Sequence, residues 1–484
     1  MSSPDYPLST TGHTGLNSGK AYRREKALVA LVGLHLTFLP WAFGGVDTGS
    51  QFLGCGLGLG ALGLALWPDA GSAPPIRPWS RLRRSPVFWA GVMLFAYVCV
   101  QAGNPAFDYH QAGTRWWLEP HATRPGLPTG MNVPFAEAGP WRSLLLWVPP
   151  WLLVCAIRTG ITRRSSVVTL LTIIAANGFG LAAFGLVQRA AGSEAIYGFR
   201  RTASASIFAS FPYRNHAAAY FNLVAMVAVM LLLRCVWRER HSGWNRGPAI
   251  LYLFFSLTLV AASVLTFSLG GIFLLAVTLA VLVPLTVSHF KRQPTGRSRA
   301  PVIAAGLLAL LVSALAGAAG LREMRASLEA KLADGGYTSI HSRQLAARQG
   351  LAMFADRPLF GWGAGCFRYG FTQYQQREPE LTGMGGVSYR WEHVHNDWLE
   401  LLVELGVAGV VPIGVMLATW LHGLRRLRLR VYPFLLWPLG GVATLAVHAW
   451  GDFPLQNPAV LATGAAVLWL IPLWQETSAT DSRH

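Results

Sequence analysis

The side chains whose types could do chemistry gather in one short run. It reads Tyr389-Arg390-Trp391-Glu392-His393-Val394-His395-Asn396-Asp397-Trp398-Leu399-Glu400 and continues without a break into an apolar segment that ends near Trp420. Imidazole has a reference pKa of about 6.5, so His393 and His395 can accept or return a proton at neutral pH. Asn396 is a residue type that caps helix starts, and Glu400 and Glu404 are spaced to share one helix face. Lipid penalises ionisable groups, so finding them at the mouth of an apolar segment argues for a site. Two further stretches carry matching groups. Phe211-Pro212-Tyr213-Arg214-Asn215-His216 opens one apolar run, and His448 and Asp452 read as an i, i+4 pair on one helix face at the end of another. A guanidinium binds phosphate through paired, charge-assisted hydrogen bonds and keeps its proton, so Arg214 at a helix N-terminus suits a phosphate or pyrophosphate. Arg390 stands next to the histidine run as a second candidate of that kind. A base beside an anion clamp, at the edge of lipid, points to group transfer from a lipid-linked phosphate.

The elements that must position these groups follow from composition. The chain has 484 residues, of which 52% are hydrophobic and only 13% charged, and its mean hydropathy is +0.38. That is more apolar surface than a soluble fold can hide, and it predicts an all-α polytopic membrane protein. The net charge of +18 does not indicate nucleic acid, because the basic residues are spread in short stretches between apolar runs. About twelve runs are long enough to cross a hydrocarbon core, starting near residues 27, 51, 86, 141, 166, 215, 249, 271, 301, 397, 432 and 457. Pro149-Pro150 is expected to kink or break the fourth, and Ser268-Leu269-Gly270 to join the seventh and eighth in a tight hairpin.

Lysine and arginine crowd into alternate connections, which sets both termini in the cytoplasm. The expected organisation is a cytoplasmic tail at 1–26, nine spans within 27–320, a large periplasmic loop at 321–396, three spans within 397–474 and a second cytoplasmic tail at 475–484. The first span has no small-residue cleavage site and is expected to be retained. Of the outward loops, 102–140 carries Trp116-Trp117 and several prolines and reads as an irregular cap or lid; 189–214 leads into the sixth span. The large loop is expected to be mostly helical, with short helices at 321–333 and 342–355. The sixth and tenth spans then both begin at the outer face, and two positive helix ends converge there. Four of the five cysteines sit in or beside apolar spans, with Cys366 in the large loop, so no disulfide framework is implied.

Several of these stretches together resemble the O-antigen ligase and polymerase family of bacterial glycan transferases. His395-Asn396 followed by Gly406-Val407-Ala408-Gly409 is similar to its signature, and Phe208 through Ala218 resembles its first outward motif. Ser342-Arg343 through Met353, Asp356, Pro358, Gly361 and Gly363 resembles the start of its large loop, and His448 to Pro454 its late His and Asp segment. The resemblance covers about residues 185–475. It implies an active site on the periplasmic side of the bacterial inner membrane that moves a glycan from an undecaprenyl-pyrophosphate carrier to a hydroxyl of an acceptor glycan or lipid, with inversion and without metal or cofactor. His395 is then the catalytic base, and Arg214 and Arg343 bind pyrophosphate, with Arg390 beside them; Asn215, His393, Asn396, Glu400, His448 and Asp452 support them. Many relatives have Ser-Arg-Gly-Gly where this chain has Ser268-Leu269-Gly270-Gly271, so that arginine's role is absent or supplied elsewhere.

Other classes compete. A protein O-oligosaccharyltransferase shares the donor and differs in the acceptor, which the sequence does not name; nothing in it identifies a lipopolysaccharide core acceptor, which leans the reading to polymerisation or export-linked transfer. A non-enzymatic polysaccharide transporter would need ionisable residues or broken helices near the bilayer midplane. No Asp-x-Asp pair of the metal-binding kind stands in the outward loops; Glu378-Pro379-Glu380 comes nearest. Gly406 and Gly409 read as close-packing contacts.

Overall fold

The computed structural model describes residues 12–68, 78–113, 115–202, 206–242, 247–291, 325, 329, 339–382 and 390–481. Its long helices are α1 (Gly12–Trp41), α2 (Thr48–Leu66), α3 (Pro86–Gly103), α4 (Pro140–Gly160), α5 (Arg164–Ala190) and α6 (Arg214–Ser242). They continue as α7 (Gly247–Leu265), α8 (Leu269–Lys291), α9 (Ser339–Asp356), α10 (Asp397–Leu424), α11 (Leu436–Gly451) and α12 (Pro458–Asp481). Ten helices among the described residues are long and apolar enough to cross a membrane: all of these but α1 and α9. The charged first half of α1 lowers its apolar character, yet the helix runs along the bundle from Glu25, which accepts from the Thr162 and Arg163 N–H groups, to Trp41, whose carbonyl accepts from the Tyr197 hydroxyl. The span expected at 301–320 lies outside the described residues, as does nearly all of the helix expected at 321–333.

A helix that is apolar on every side belongs in the middle of a bundle. The residues from Ala217 to Met226 in α6 are all buried, and α6 packs against α5, α7, α11 and α12. α12 is the other central helix, between α4, α5, α6 and α11. One large core joins these to α1, α2, α7 and α8. A second, separate core lies above α10 and is built from Met353, Trp362, Phe367, Tyr369, Phe371, Tyr374, Trp391 and Val394.

The all-α expectation and the irregular cap need correction. Residues 105–132 form a three-stranded sheet, β1 (Pro105–Ala112), β2 (Arg115–Pro120) and β3 (Gly130–Asn132), in the order β2-β1-β3. β1 runs antiparallel to β2 and parallel to β3. Period-two alternation puts Phe107 and Tyr109 on one face, where Phe107 stacks on Trp362 at 6.3 Å and Tyr109 meets Tyr369 edge-on at 4.9 Å. Pro105 and Pro120 stand at strand ends, where proline is tolerated, so they do not prevent pairing.

The expected break at Pro149-Pro150 is also absent. Both prolines are buried inside an uninterrupted α4, whose partner α2 offers glycines there: a Cβ on Gly58 would lie 3.4 Å from the Pro149 carbonyl oxygen. The break occurs instead in α10. Gly406 has φ 62° and ψ −178°, a conformation open to glycine, and a side chain there would strike the Leu359 carbonyl. Gly406 is thus conformational, whereas Gly409 is the close contact expected, since a Cβ there would lie 2.6 Å from Tyr97.

Polar groups freed by that break find partners in the facing segment. Trp362 and Gly363 donate their N–H groups to the carbonyls of Val403 and Glu404 at 2.9 Å, and Val407 and Ala408 donate to Pro358 and Leu359 at 2.9 and 3.0 Å. Gln101 of α3 donates to the carbonyls of Phe360 and Glu404, both at 3.0 Å, and accepts from the Ala364 N–H at 3.1 Å. The segment after α9 is therefore docked into α10 by backbone pairing, as lipid demands of irregular backbone.

Candidate active site

The site forms where α6 and α10 begin and α11 ends. Asn396 accepts a hydrogen bond from the Leu399 N–H at 3.0 Å and so caps α10. His395, just before the cap, has φ 56°. That left-handed value is uncommon for a side chain of this size and costs of order 1–3 kcal/mol, which marks the residue as held in place for a reason. Its Nδ1 lies 3.3 Å from Asp452 Oδ1. An ionised carboxylate only accepts hydrogen bonds, so the proton of the neutral ring sits on Nδ1 and the lone pair on Nε2.

Asp452 is the hub. Its side chain is buried, and Oδ2 receives Arg343 Nη2 at 3.5 Å, the Tyr213 hydroxyl at 3.4 Å and the Asn215 amide. Burial by itself would raise its pKa. The hydrogen bond from His395 and the positive field of Arg343 outweigh that and hold the carboxyl well below the usual range, hence ionised. Burial and the Asp452 charge push the Tyr213 phenol up, so it remains a donor.

The i, i+4 reading of His448 and Asp452 is overturned. α11 stops at Gly451, and Asp452 is extended, with φ −156° and ψ −166°, so it leaves the helix face on which His448 sits. The stop has a cause: Arg343 of α9 donates to the Gly451 carbonyl at 2.9 Å, satisfying the negative end of α11. His448 is buried one turn below, and its Nδ1 has no hydrogen-bond partner among the described residues. A Cβ on Gly270 would lie 3.9 Å from its Nε2, which puts the short turn between α7 and α8 beside the site.

A second imidazole–carboxylate couple stands alongside. His393 Nδ1 is 2.7 Å from Glu400 Oε1, and Glu400 also accepts from the Val394 N–H at 3.0 Å and from Gln456 at 3.3 Å. Phe453 separates the two couples, with its ring 4.3 Å from His393 and 4.9 Å from His395. The same ring stacks on Tyr213 at 5.3 Å and meets His216 at 5.1 Å. Phe453 and Tyr213 are site residues that the sequence reading left out of its set, although both lie in stretches it quoted.

The structure brings His395, Asn215, Arg343 and Asp452 into one network. Arg214 opens α6, exposed, and its charge reaches the Tyr213 phenol. Arg390 is engaged elsewhere. Its guanidinium lies over Tyr369, Trp116 and Tyr109 at 4.7, 5.2 and 5.6 Å and pairs with Glu137 at 3.9 Å, so it ties the β-sheet cap to the loop. Glu404 points away from the histidines and accepts from the Phe367 N–H at 3.1 Å. Among the described residues no group of three or more His, Cys, Asp or Glu side chains is placed to hold a metal ion.

The arrangement can remove a proton through His395 Nε2, keep the imidazolium stable against Asp452, and receive negative charge at Arg214, Arg343 and two helix N-termini. A comparison with curated proteins finds no match to this chain. A comparison with protein families does: residues 254–414, which include His393, His395 and the break at Gly406 in α10, match the model of the family described as O-Antigen ligase. With its ten membrane-length helices this multi-pass membrane protein thus carries, over residues 254–414, a segment similar to the O-antigen ligase family.

Proposed function

We propose that the protein transfers a glycan from an undecaprenyl-pyrophosphate carrier to an acceptor hydroxyl, in one inverting displacement and without metal. The observation that carries this reading is the contact of His395 Nδ1 with Asp452, the carboxylate that also receives Arg343. The acceptor oxygen attacks the anomeric carbon from the face opposite the carrier, and His395 Nε2 takes its proton. The bond from the anomeric carbon to the pyrophosphate oxygen breaks, and its electron pair leaves with the lipid pyrophosphate. Arg214 and the starts of α6 and α10 meet that charge directly. Arg343 does so by exchanging its Asp452 contact for the phosphate. The base contributes about 10² to 10⁴-fold in rate. Arg189 lies over the Phe267 ring at 4.2 Å, next to the turn where relatives carry an arginine and this chain carries exposed Leu269. In this reading Arg189 supplies that charge.

The protein is assigned to the bacterial inner membrane, with the site facing the periplasm and both termini in the cytoplasm. A transporter would expose broken helices to its cargo near the midplane. Here the break at Gly406 is filled by the 358–363 segment, so the feature that would favour transport is already occupied.

The test is His395→Ala in the cell of origin. Loss of all polymer from the lipid anchor, with carrier-linked polymer accumulating, identifies a ligase, and a single repeat left on the anchor identifies a polymerase. Loss confined to glycosylated protein identifies a protein O-oligosaccharyltransferase. Unchanged glycans overturn the proposal. Single cysteines introduced next to Arg214 and Arg343 are expected to react with an impermeant reagent from the periplasmic side; reaction from the cytoplasm alone overturns the orientation.

A further inference from the structure

The opposite end of the bundle holds a cavity that the transfer reaction does not use. It encloses about 330 Å³ between Arg164, Arg234, Arg238, Trp237, Tyr432 and Trp474. Arg214 begins α6 at the active site and Arg234 lies twenty residues along the same helix. At about 1.5 Å per residue the two ends are about 30 Å apart, the thickness of a hydrocarbon core. The cavity thus sits where the helices leave lipid on the far side, at headgroup level.

Its lining is chemically one-sided. Three guanidinium groups converge on it, and none of its lining residues is acidic. Arg164 lies over the rings of Tyr432 and Trp474, both at 5.3 Å, and Arg234 lies over Trp474 at 5.6 Å. Arg164 donates to the Tyr432 hydroxyl at 3.4 Å, while its Nε is buried with no hydrogen-bond partner among the described residues. The neighbouring Arg163, whose Nη1 likewise lacks a hydrogen-bond partner among the described residues, differs in having the Glu25 carboxylate at 3.7 Å. Arg164 and Arg234 repel each other across the void unless an anion joins them, and a buried donor without an acceptor, such as Arg164 Nε, is costly. A phosphate answers both demands, and guanidinium is the side chain best shaped to hold it.

We propose that this cavity binds a phosphate group, that of an anionic phospholipid whose headgroup enters from the membrane edge between α5, α6 and α12. The buried Trp474 ring and the Tyr432 ring hold the arginines by cation–π contact. The phosphate would bridge Arg164, Arg234 and Arg238 and so brace the ends of α5 and α6. The same chemistry would admit free inorganic phosphate, and the experiment separates the two sources.

The full chain is purified in a neutral detergent and its thermal unfolding followed by tryptophan fluorescence. Phosphatidylglycerol vesicles, phosphatidylcholine vesicles and sodium phosphate are added separately. Phosphatidylglycerol is expected to raise Tm by about 2–4 °C, the scale of roughly 1 kcal/mol of ligand linkage, with little effect from the other two. Ser165→Asp places a carboxylate in the lining of the cavity at an exposed position of the first turn of α5, where a negative charge suits the helix. It is expected to keep the lipid-free Tm and to abolish the phosphatidylglycerol shift; Arg164→Gln is expected to reduce that shift at least tenfold in lipid concentration. An equal shift from sodium phosphate, lost in Ser165→Asp, retains the phosphate site and assigns it to a free anion. No shift, or one that phosphatidylcholine matches or Ser165→Asp leaves intact, overturns the proposal.

Discussion

The two ends of the helix bundle treat charge in opposite ways. At the end where α6 and α10 begin, two imidazoles have a carboxylate: His395 has Asp452 and His393 has Glu400. At the other end, arginines line a cavity whose described lining residues include no acid. A paired imidazole has a defined tautomer and can cycle a proton many times, which suits a reaction. Guanidinium groups around a void can hold an anion but cannot cycle a proton, which suits a resident ligand. The same helix, α6, supplies both ends, so the difference lies in what surrounds each: the segments before α10 and after α11 bring His393, His395 and Asp452, whereas α5 and α12 bring Arg164 and Trp474.

The strongest way to break this comparison is Asp452→Asn. It preserves shape but removes the charge that fixes the His395 tautomer and neutralises Arg343, and glycan transfer is expected to fall by about 10²-fold or more, measured on purified donor and acceptor. A loss below tenfold would reduce Asp452 to a structural contact. Gly406→Ala comes next. A Cβ at φ 62° and ψ −178° meets the Leu359 carbonyl, and the variant is expected to lose at least about 3 kcal/mol of stability, read as a large drop in Tm or in folded yield. Arg390→Leu tests whether that arginine serves the cap and not the donor. With its cation–π contacts gone, the cap should loosen by about 1–2 kcal/mol, seen as faster proteolysis at 105–132, while donor KM changes less than threefold.

Acid sharpens the contrast further. The Asp452 carboxyl is held below its ordinary value of 3.8, so in the unfolded chain it protonates first as pH falls. Its contribution to stability is complete above pH 3.8 and is lost below that as pH drops through the depressed native value. Melting curves between pH 6 and pH 3 should therefore steepen at the acid end in the wild type and flatten there in Asp452→Asn. The smallest expected effect is that of Ser165→Asp on glycan transfer, a change within about twofold, because the cavity it enters lies about 30 Å from His395. A large loss there would mean that the two ends are coupled.

Much of the frame was readable from order and composition. Apolar runs gave ten helices their places, and His395-Asn396 stood out because a histidine and a cap residue at the start of a span have few structural reasons to be together. What escaped notice depended on contacts between distant residues. The β-sheet at 105–132 was hidden because its alternation is short and its prolines look disruptive until they are seen at strand ends. The break at Gly406 was hidden because a glycine in a span has the same signature whether it bends the chain or lets a neighbour approach. Phe453 carried no signal of chemistry, since an aromatic residue in a membrane protein is ordinary, and only its place between two imidazoles gives it a role.

Taken alone, the order of residues determined that this chain crosses lipid many times and which ionisable groups stand at span ends, because the hydrophobic effect and the cost of burying charge act on each segment by itself. Tertiary structure decided which of those groups meet. Asp452 had to leave α11 before it could receive His395, Arg343, Tyr213 and Asn215 together, and that departure depends on α9 bringing Arg343 to the Gly451 carbonyl from more than a hundred residues away. Local preference has no access to such a contact, since its energy exists only once the helices are packed.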